Sequence, residues 1–329
     1  MIVDNHGRVL DYVRLAVTDR CNLRCFYCMP EEGIDYLPKK QLLTYEEMER
    51  MLQVLAGMGI RKVRITGGEP FLRKDLLSFL WRIKAIPGIE EIHITTNGVL
   101  TGPLVPALKE LGIKSVNLSL DSLDRERFFK ITRRDELDRV MDTFYALLQH
   151  NIPVKINAVV MEGQNTEDII PLAQLTEKYP VSVRFIEEMP FNGGANNHPS
   201  LTWNYLRILD ELQEIYPGIT KVANAPNATA EHYAIPGHLG NIGIIAAYTR
   251  TFCGTCNRIR VTAQGGLKTC LYGDDVLNIR DLLRAGTSDE ALKATFRQAF
   301  GNRAKDGFEA EDHRQYLLPV FQSMSTIGG

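Results

Sequence analysis

Through roughly the first two hundred residues, short β-branched runs alternate with longer stretches whose apolar residues recur at helical spacing. The runs at 12–18, 62–66, 91–96, 115–120, 154–160 and 181–186 read as strands. The segments at 44–58, 76–85, 102–111, 137–149 and 169–178 read as helices. Thr44, followed by Glu46 and Glu47, supplies an N-cap and an acidic first turn. This strand–helix rhythm predicts parallel strands joined by right-handed crossovers. The expected fold class is therefore α/β, an incomplete (β/α)6 barrel of the TIM type, with a doubly wound open sheet as the alternative.

The stretch 191–199, rich in Gly and Asn, reads as a loop leading out of that core. Beyond it, 201–215, 279–285 and 290–299 read as helices, and 241–248 and 258–263 as strands. The chain thus divides into a core, residues 1–199, and a C-terminal region, residues 200–329. The second is expected to pack across the first and close the barrel mouth.

Composition narrows the function classes. The 329 residues are 44% hydrophobic with a formal charge of −2, which argues against bulk attraction to nucleic acid or to an anionic membrane. Any anionic ligand must be held by a few cations gathered in one place. Asp4, His6 and Arg8 interrupt the first ten residues, so no apolar secretory signal is expected there, and no apolar run nears the roughly 18 residues of a membrane span. A cytoplasmic protein is expected.

The six cysteines fall into two groups of three, with none left over: Cys21, Cys25 and Cys28, then Cys253, Cys256 and Cys270. In a cytosolic chain, metal ligation explains such groups better than disulfides do. The first group directly follows the first strand, the end at which α/β barrels collect functional groups. Three thiolates can hold three irons of a [4Fe–4S] cluster and leave the fourth open to a small molecule. A zinc site completed by a distant residue is the alternative.

Cys21-Asn-Leu-Arg-Cys25-Phe-Tyr27-Cys28 resembles the radical S-adenosylmethionine superfamily, whose hallmark is Cys-x₃-Cys-x₂-Cys with an aromatic before the last cysteine. Gly67-Gly68-Glu69-Pro70 after the second strand matches the same family in the right order, and its glycines permit close backbone approach. The second triplet, followed by Arg258-Ile259-Arg260, together with the terminal Gly328-Gly329, is similar to the branch of that superfamily that cyclises GTP for molybdenum cofactor synthesis.

The resemblance implies two [4Fe–4S] clusters and S-adenosylmethionine as cofactors. The first cluster would reductively cleave S-adenosylmethionine, the second would hold the guanine of GTP, and hydrogen abstraction at the ribose 3′ carbon would lead to ring closure onto guanine C8. Tyr27, Gly68, Ser119 and Met189 would contact S-adenosylmethionine. Thr95 and Ile259 match the substrate site, and Arg14, Arg258 and Arg260 would act in catalysis as well as binding. The terminal Gly328 and Gly329 would reach into the active site. The family also implies a low-potential, flavodoxin-like electron donor, a downstream cyclic pyranopterin synthase receiving the product, and a homodimer. A peptide-modifying radical enzyme with auxiliary clusters is the nearest rival, and a zinc-stabilised binding module a more distant one.

The residues themselves support an anion site. Arg14, Arg64, Lys155, Arg258 and Arg260 all lie in or beside predicted strands, where long charged side chains are out of place unless they line a cavity. Arginine forks suit phosphate oxygens because they make paired, charge-assisted bonds. The loop Thr132-Arg133-Arg134-Asp135-Glu136-Leu137 carries no matched ligand and is expected to be an idiosyncratic surface feature.

Overall fold

A computed structural model describes residues 1–189, 201–314 and 324–327. The Gly/Asn-rich loop at 191–199 and the terminal Gly328 and Gly329 lie outside the described residues.

The chain opens with an antiparallel hairpin, β1 (Ile2–Val3) and β2 (Val9–Leu10). All six expected core strands follow: β3 (Tyr12–Ala16), β4 (Lys62–Thr66), β5 (Glu91–Thr96), β6 (Ser115–Ser119), β7 (Val154–Val160) and β8 (Ser182–Glu187). Helices α1 (Tyr45–Met58), α2 (Leu76–Lys84), α3 (Val105–Leu111), α4 (Arg125–Thr132), α5 (Leu137–Gln149) and α6 (Ile169–Lys178) connect and cover them. The start of α1 is a full capping box: Glu47 N donates to Thr44 Oγ1 at 3.1 Å and Thr44 N donates to the Glu47 carboxylate at 2.8 Å. The helix stops at Gly59, whose φ of 117° a side chain would resist. Met48, Met51, Leu52 and Leu55 turn inward, and burying each such side chain is worth about 1.5–3 kcal/mol.

The C-terminal region supplies α7 (Tyr205–Ile215), β9 (Thr220–Val222), β10 (Glu231–Ala234), β11 (Asn241–Ile245), β12 (Arg258–Val261), β13 (Gly266–Lys268), β14 (Leu277–Asn278), α8 (Ile279–Arg284), α9 (Asp289–Phe300) and α10 (Gly307–Asp312). It does more than cover the core. The sheet runs β14-β13-β12-β3-β4-β5-β6-β7-β8-β11-β10-β9, so the region adds strands to both edges. From β12 to β11 every neighbouring pair is parallel. The outermost strands β14 and β9 do not pair with each other, which leaves the barrel open.

Register makes the two faces of this sheet opposite in character. One face carries Val13, Leu15, Val63, Ile65, Ile94, Val116, Leu118, Ile156, Val183 and Ile259, all buried beneath the helices. The other aligns Arg14 with Arg64 and His93, Thr95 with Asn117 and Lys155, and Ser119 with Asn157 and Arg184. A side-chain period of two separates these sets on each strand. The curved sheet therefore presents polar groups to its own interior. Among the described residues, no helix is long and apolar enough to cross a membrane.

Candidate active site

The polar face encloses a cavity of about 630 Å³ lined by both cysteine triplets. Of the described residues expected to contact ligand, all but Ile259 line it too: Arg14, Tyr27, Arg64, Gly68, Thr95, Ser119, Lys155, Met189, Arg258 and Arg260. Ile259 is a correction. It alternates with the two arginines along β12, so its side chain is turned to the opposite face and fully buried in the hydrophobic core.

The first triplet sits on a loop tied to its neighbours by backbone bonds. Arg24 N donates to Thr132 O at 2.9 Å and Phe26 N to Ile131 O at 3.1 Å. Arg133 Nη1 reaches Arg24 O at 3.1 Å and Met29 O at 3.3 Å. The segment expected to be an idiosyncratic loop is thus a brace for the cysteine loop, at the end of α4, a helix too polar to show in the sequence pattern. Gly67 and Gly68 approach the same loop so closely that a Cβ on Gly68 would stand 2.2 Å from Arg20 O. Glu69, fully buried, joins this turn to the end of β5 by accepting from Thr96 Oγ1 at 2.9 Å and Asn97 N at 2.8 Å. Burial raises its pKa to about 7. Asn97 Nδ2 lies 3.7 Å from Cys21 Sγ. The Tyr27 hydroxyl donates to Asp121 at 2.8 Å, so it is the ring that remains to face a ligand.

The second triplet lines the same cavity. Cys253 and Cys256 bracket a single 3₁₀ turn, and Cys270 follows β13. Burial pushes the Cys253 thiol up to about 11. At Cys256 burial acts in the same direction, but Arg258 and Arg303 overcome it and bring the thiol down to about 6. Arg258 Nε approaches Cys256 Sγ to 3.4 Å. At the first triplet, burial and neighbouring acids raise Cys21 to about 12 and Cys25 well above its ordinary value.

Whether these residues suit iron–sulfur clusters can be judged from the donors. None of the six cysteines is in a disulfide, and they stand three to each group. Among the described residues, no three His, Cys, Asp or Glu side chains converge on a point where one metal ion could sit. Three cysteines in a group are the number that leaves one iron of a four-iron cluster without a protein ligand. Thiolates are also the ligands such clusters use.

The barrel interior carries cations. Burial, then Arg260, holds Arg14 well below its usual range, and burial, then Arg258, lowers Arg260. Burial with Arg184 and Arg64 close by brings Lys155 down to about 7. These groups repel one another, and an anion between them would relieve the repulsion. Thr95 Oγ1, Asn117 Oδ1, Asn157 Oδ1, Arg184 Nε and Arg258 Nη2 are buried with no hydrogen-bond partner among the described residues. A native structure rarely leaves so many such groups unmet in one place. Tyr12 accepts from Arg64 Nε at 2.5 Å, and although burial acts to raise its pKa, Arg64 and Arg14 leave it lowered.

Sequence reasoning did not single out Lys62, Arg184, Asn117, Asn157, Tyr12 or His232, all of which line the cavity. Lys62 and Arg184 carry the same signal as Arg64, a cation within a predicted strand. His232 lies on β10, whose short run gives little sign of a strand.

Comparison with known proteins adds a second line. The Radical SAM superfamily pattern matches residues 15–176, and Molybdenum Cofactor Synthesis C matches residues 181–308. The mitochondrial GTP 3′,8-cyclase of Arabidopsis thaliana is 40% identical over 89% of this chain and 75% of its own length. The GTP 3′,8-cyclase of Syntrophomonas wolfei is 41% identical over 90% of this chain and 91% of its own. The human molybdenum cofactor biosynthesis protein 1 is 40% identical, and the chain spans about half of it, 48%. Among solved structures, Streptococcus suis SuiB bound to S-adenosylmethionine shares the fold, with a TM-score of 0.61 at 18% identity over 88% of this chain and 68% of that one.

Proposed function

The chain belongs to the GTP 3′,8-cyclase family of the radical S-adenosylmethionine superfamily, and from that premise we propose that it converts GTP to (8S)-3′,8-cyclo-7,8-dihydroguanosine 5′-triphosphate, with release of 5′-deoxyadenosine and methionine, in molybdenum cofactor synthesis. The observation that carries this reading is the single cavity shared by two thiol triplets and a set of buried cations. Cys21, Cys25 and Cys28 would hold one [4Fe–4S] cluster, and Cys253, Cys256 and Cys270 the other. When bound, the first supplies the electron that cleaves S-adenosylmethionine and the second an open iron for the guanine.

The remaining work belongs to side chains. Tyr27, Gly68, Ser119 and Met189 position S-adenosylmethionine, the glycine by letting the backbone edge come close. Arg14, Arg64, Lys155, Arg258 and Arg260, joined by Lys62, Arg184 and Thr95, neutralise and orient the triphosphate. With the triphosphate anchored deep in the barrel, the ribose is held between the two triplets. Arg258 and Arg260 on β12, with Arg14 beside Arg260 on β3, steady the nucleotide as its ring closes. The enclosing walls keep water from a reactive carbon.

We assign the core to residues 1–199 and the second cluster with the GTP site to 200–329 together with the β3 and β4 cations. A low-potential, flavodoxin-like donor would supply the electron, and a cyclic pyranopterin synthase would take the product. The enzyme is proposed to be cytoplasmic and homodimeric. The test is an oxygen-free assay with GTP, S-adenosylmethionine and dithionite. It should yield 5′-deoxyadenosine and a cyclised nucleotide in equal amounts. 5′-Deoxyadenosine formed without any change in GTP would defeat the proposal.

A further inference from the structure

The N-terminal hairpin takes no part in the chemistry assigned above, yet one of its carboxylates is completely covered. Asp4 accepts from His6 N and Arg8 N at 2.9 Å each, from Arg8 Nε at 2.7 Å, and from Arg303 Nη1 at 3.2 Å. The Asp4 side chain is 0% exposed and that of Arg303 only 3%. Arg303 directs its other donors at the second triplet. Nη1 reaches Cys256 O at 3.2 Å, while Nη2 reaches Cys256 Sγ at 3.7 Å, Arg258 O at 3.0 Å and Thr269 O at 2.9 Å. Thr269 directly precedes Cys270. Arg8, the other partner of Asp4, places Nη1 3.3 Å from Cys253 O. One buried carboxylate is therefore tied, through two arginines, to the backbone around all three cysteines.

We propose that Arg303, held in place by Asp4, is the positioning residue that seats the second triplet and sets the charge felt by the cluster bound there. The inference rests on the reading that this triplet carries a cluster. Two arginines on one carboxylate leave a net positive charge facing three thiolates. Partners outside the ligand set fix ligand orientation, and their loss commonly costs 10–100-fold in metal affinity. The potential of an iron–sulfur site follows its net charge and the hydrogen bonds to its sulfurs. A buried ion pair kept only for stability would be a weak device, since well-packed apolar groups often serve as well. Here the guanidinium makes contacts that an apolar replacement cannot make.

The test uses full-length chains reconstituted anaerobically in a Cys21→Ala, Cys25→Ala, Cys28→Ala background, where only the second triplet remains. Redox titration and iron loss to a chelator are both followed spectroscopically. Arg303→Met should lower the reduced-to-oxidised ratio at fixed potential about tenfold, equivalent to ~59 mV for one electron. It should also speed iron loss about tenfold. Arg303→Lys should restore the potential, because the charge returns, but not the resistance to chelator, because the fork does not. Asp4→Asn removes the carboxylate's charge and its hold on Arg303, so it should raise the potential while speeding iron loss, and it stands in if Arg303→Met does not fold. An unchanged potential and unchanged chelator half-life in Arg303→Met, or in Asp4→Asn an unchanged half-life, would overturn the proposal. A background chain that binds no iron with Arg303 intact would instead strike at the second cluster itself.

Discussion

Lys155 offers the sharpest check on the anion pocket. Burial and the neighbouring Arg184 and Arg64 bring its pKa to about 7. With the pocket empty, about nine in ten copies are neutral at pH 8 and about nine in ten charged at pH 6. A polyanion stabilises the charged form, so binding above pH 7 must draw a proton from solution. The sign follows: GTP affinity should fall as pH rises, by about tenfold between pH 6 and pH 8. Arginine at this position stays charged throughout, so Lys155→Arg should lose that component. Any change in the ionisation of GTP itself is common to both proteins and cancels in the comparison. Titration calorimetry of the holoenzyme without S-adenosylmethionine, repeated in buffers of different ionisation enthalpy, counts the protons. Wild type should take up about 0.9 proton more than Lys155→Arg at pH 8 and about 0.1 more at pH 6. Equal uptake by the two proteins at pH 8 would refute the reasoning.

Three further outcomes follow from contacts described above. Gly68→Ala should abolish 5′-deoxyadenosine formation, because its Cβ would stand 2.2 Å from the Arg20 carbonyl beside the first triplet; more than a tenth of wild-type product would remove that close approach from the argument. Cys25→Ala should lose S-adenosylmethionine cleavage, whereas Cys256→Ala should retain some cleavage but cyclise no GTP; anaerobic iron analysis and product chromatography distinguish the two, and full GTP turnover by Cys256→Ala would contradict the role given to the second triplet. Glu187, fully buried, accepts from Tyr205 N, Tyr248 N, Thr249 N and Thr249 Oγ1. Glu187→Ala orphans these donors and should lower stability by about 3 kcal/mol in urea titration, and a loss under about 1 kcal/mol would mean that the donors find other partners.

What the sequence made legible was what it encodes locally. The six core strands stand within a residue or two of their β-branched runs, and the cysteine triplets announce themselves by spacing. Cations on strands marked the pocket because a strand buried on one face has no ordinary use for them. The features that escaped are made by distant partners. Asp4 and Arg303 are separated by almost the whole chain, and nothing near either one indicates the other. The helix α4 escaped because Arg125-Glu126-Arg127-Phe128 shows too narrow an apolar stripe, and its capping Asp124 has the look of a turn residue. Ile259 was misplaced for a different reason: its neighbours Arg258 and Arg260 face the cavity, and a strand sends the residue between them the other way.

The edge strands carry a consequence for synthesis. β3 cannot meet its outer neighbour until residues 258–261 have been made, and β8 waits for residues 241–245. A growing chain that has completed only its first six parallel strands therefore displays two bare hydrogen-bonding rims, each able to recruit another nascent copy. Pairings between such remote segments also form slowly. The interval between translating β8 and translating β12 is when this polypeptide is most exposed to self-association.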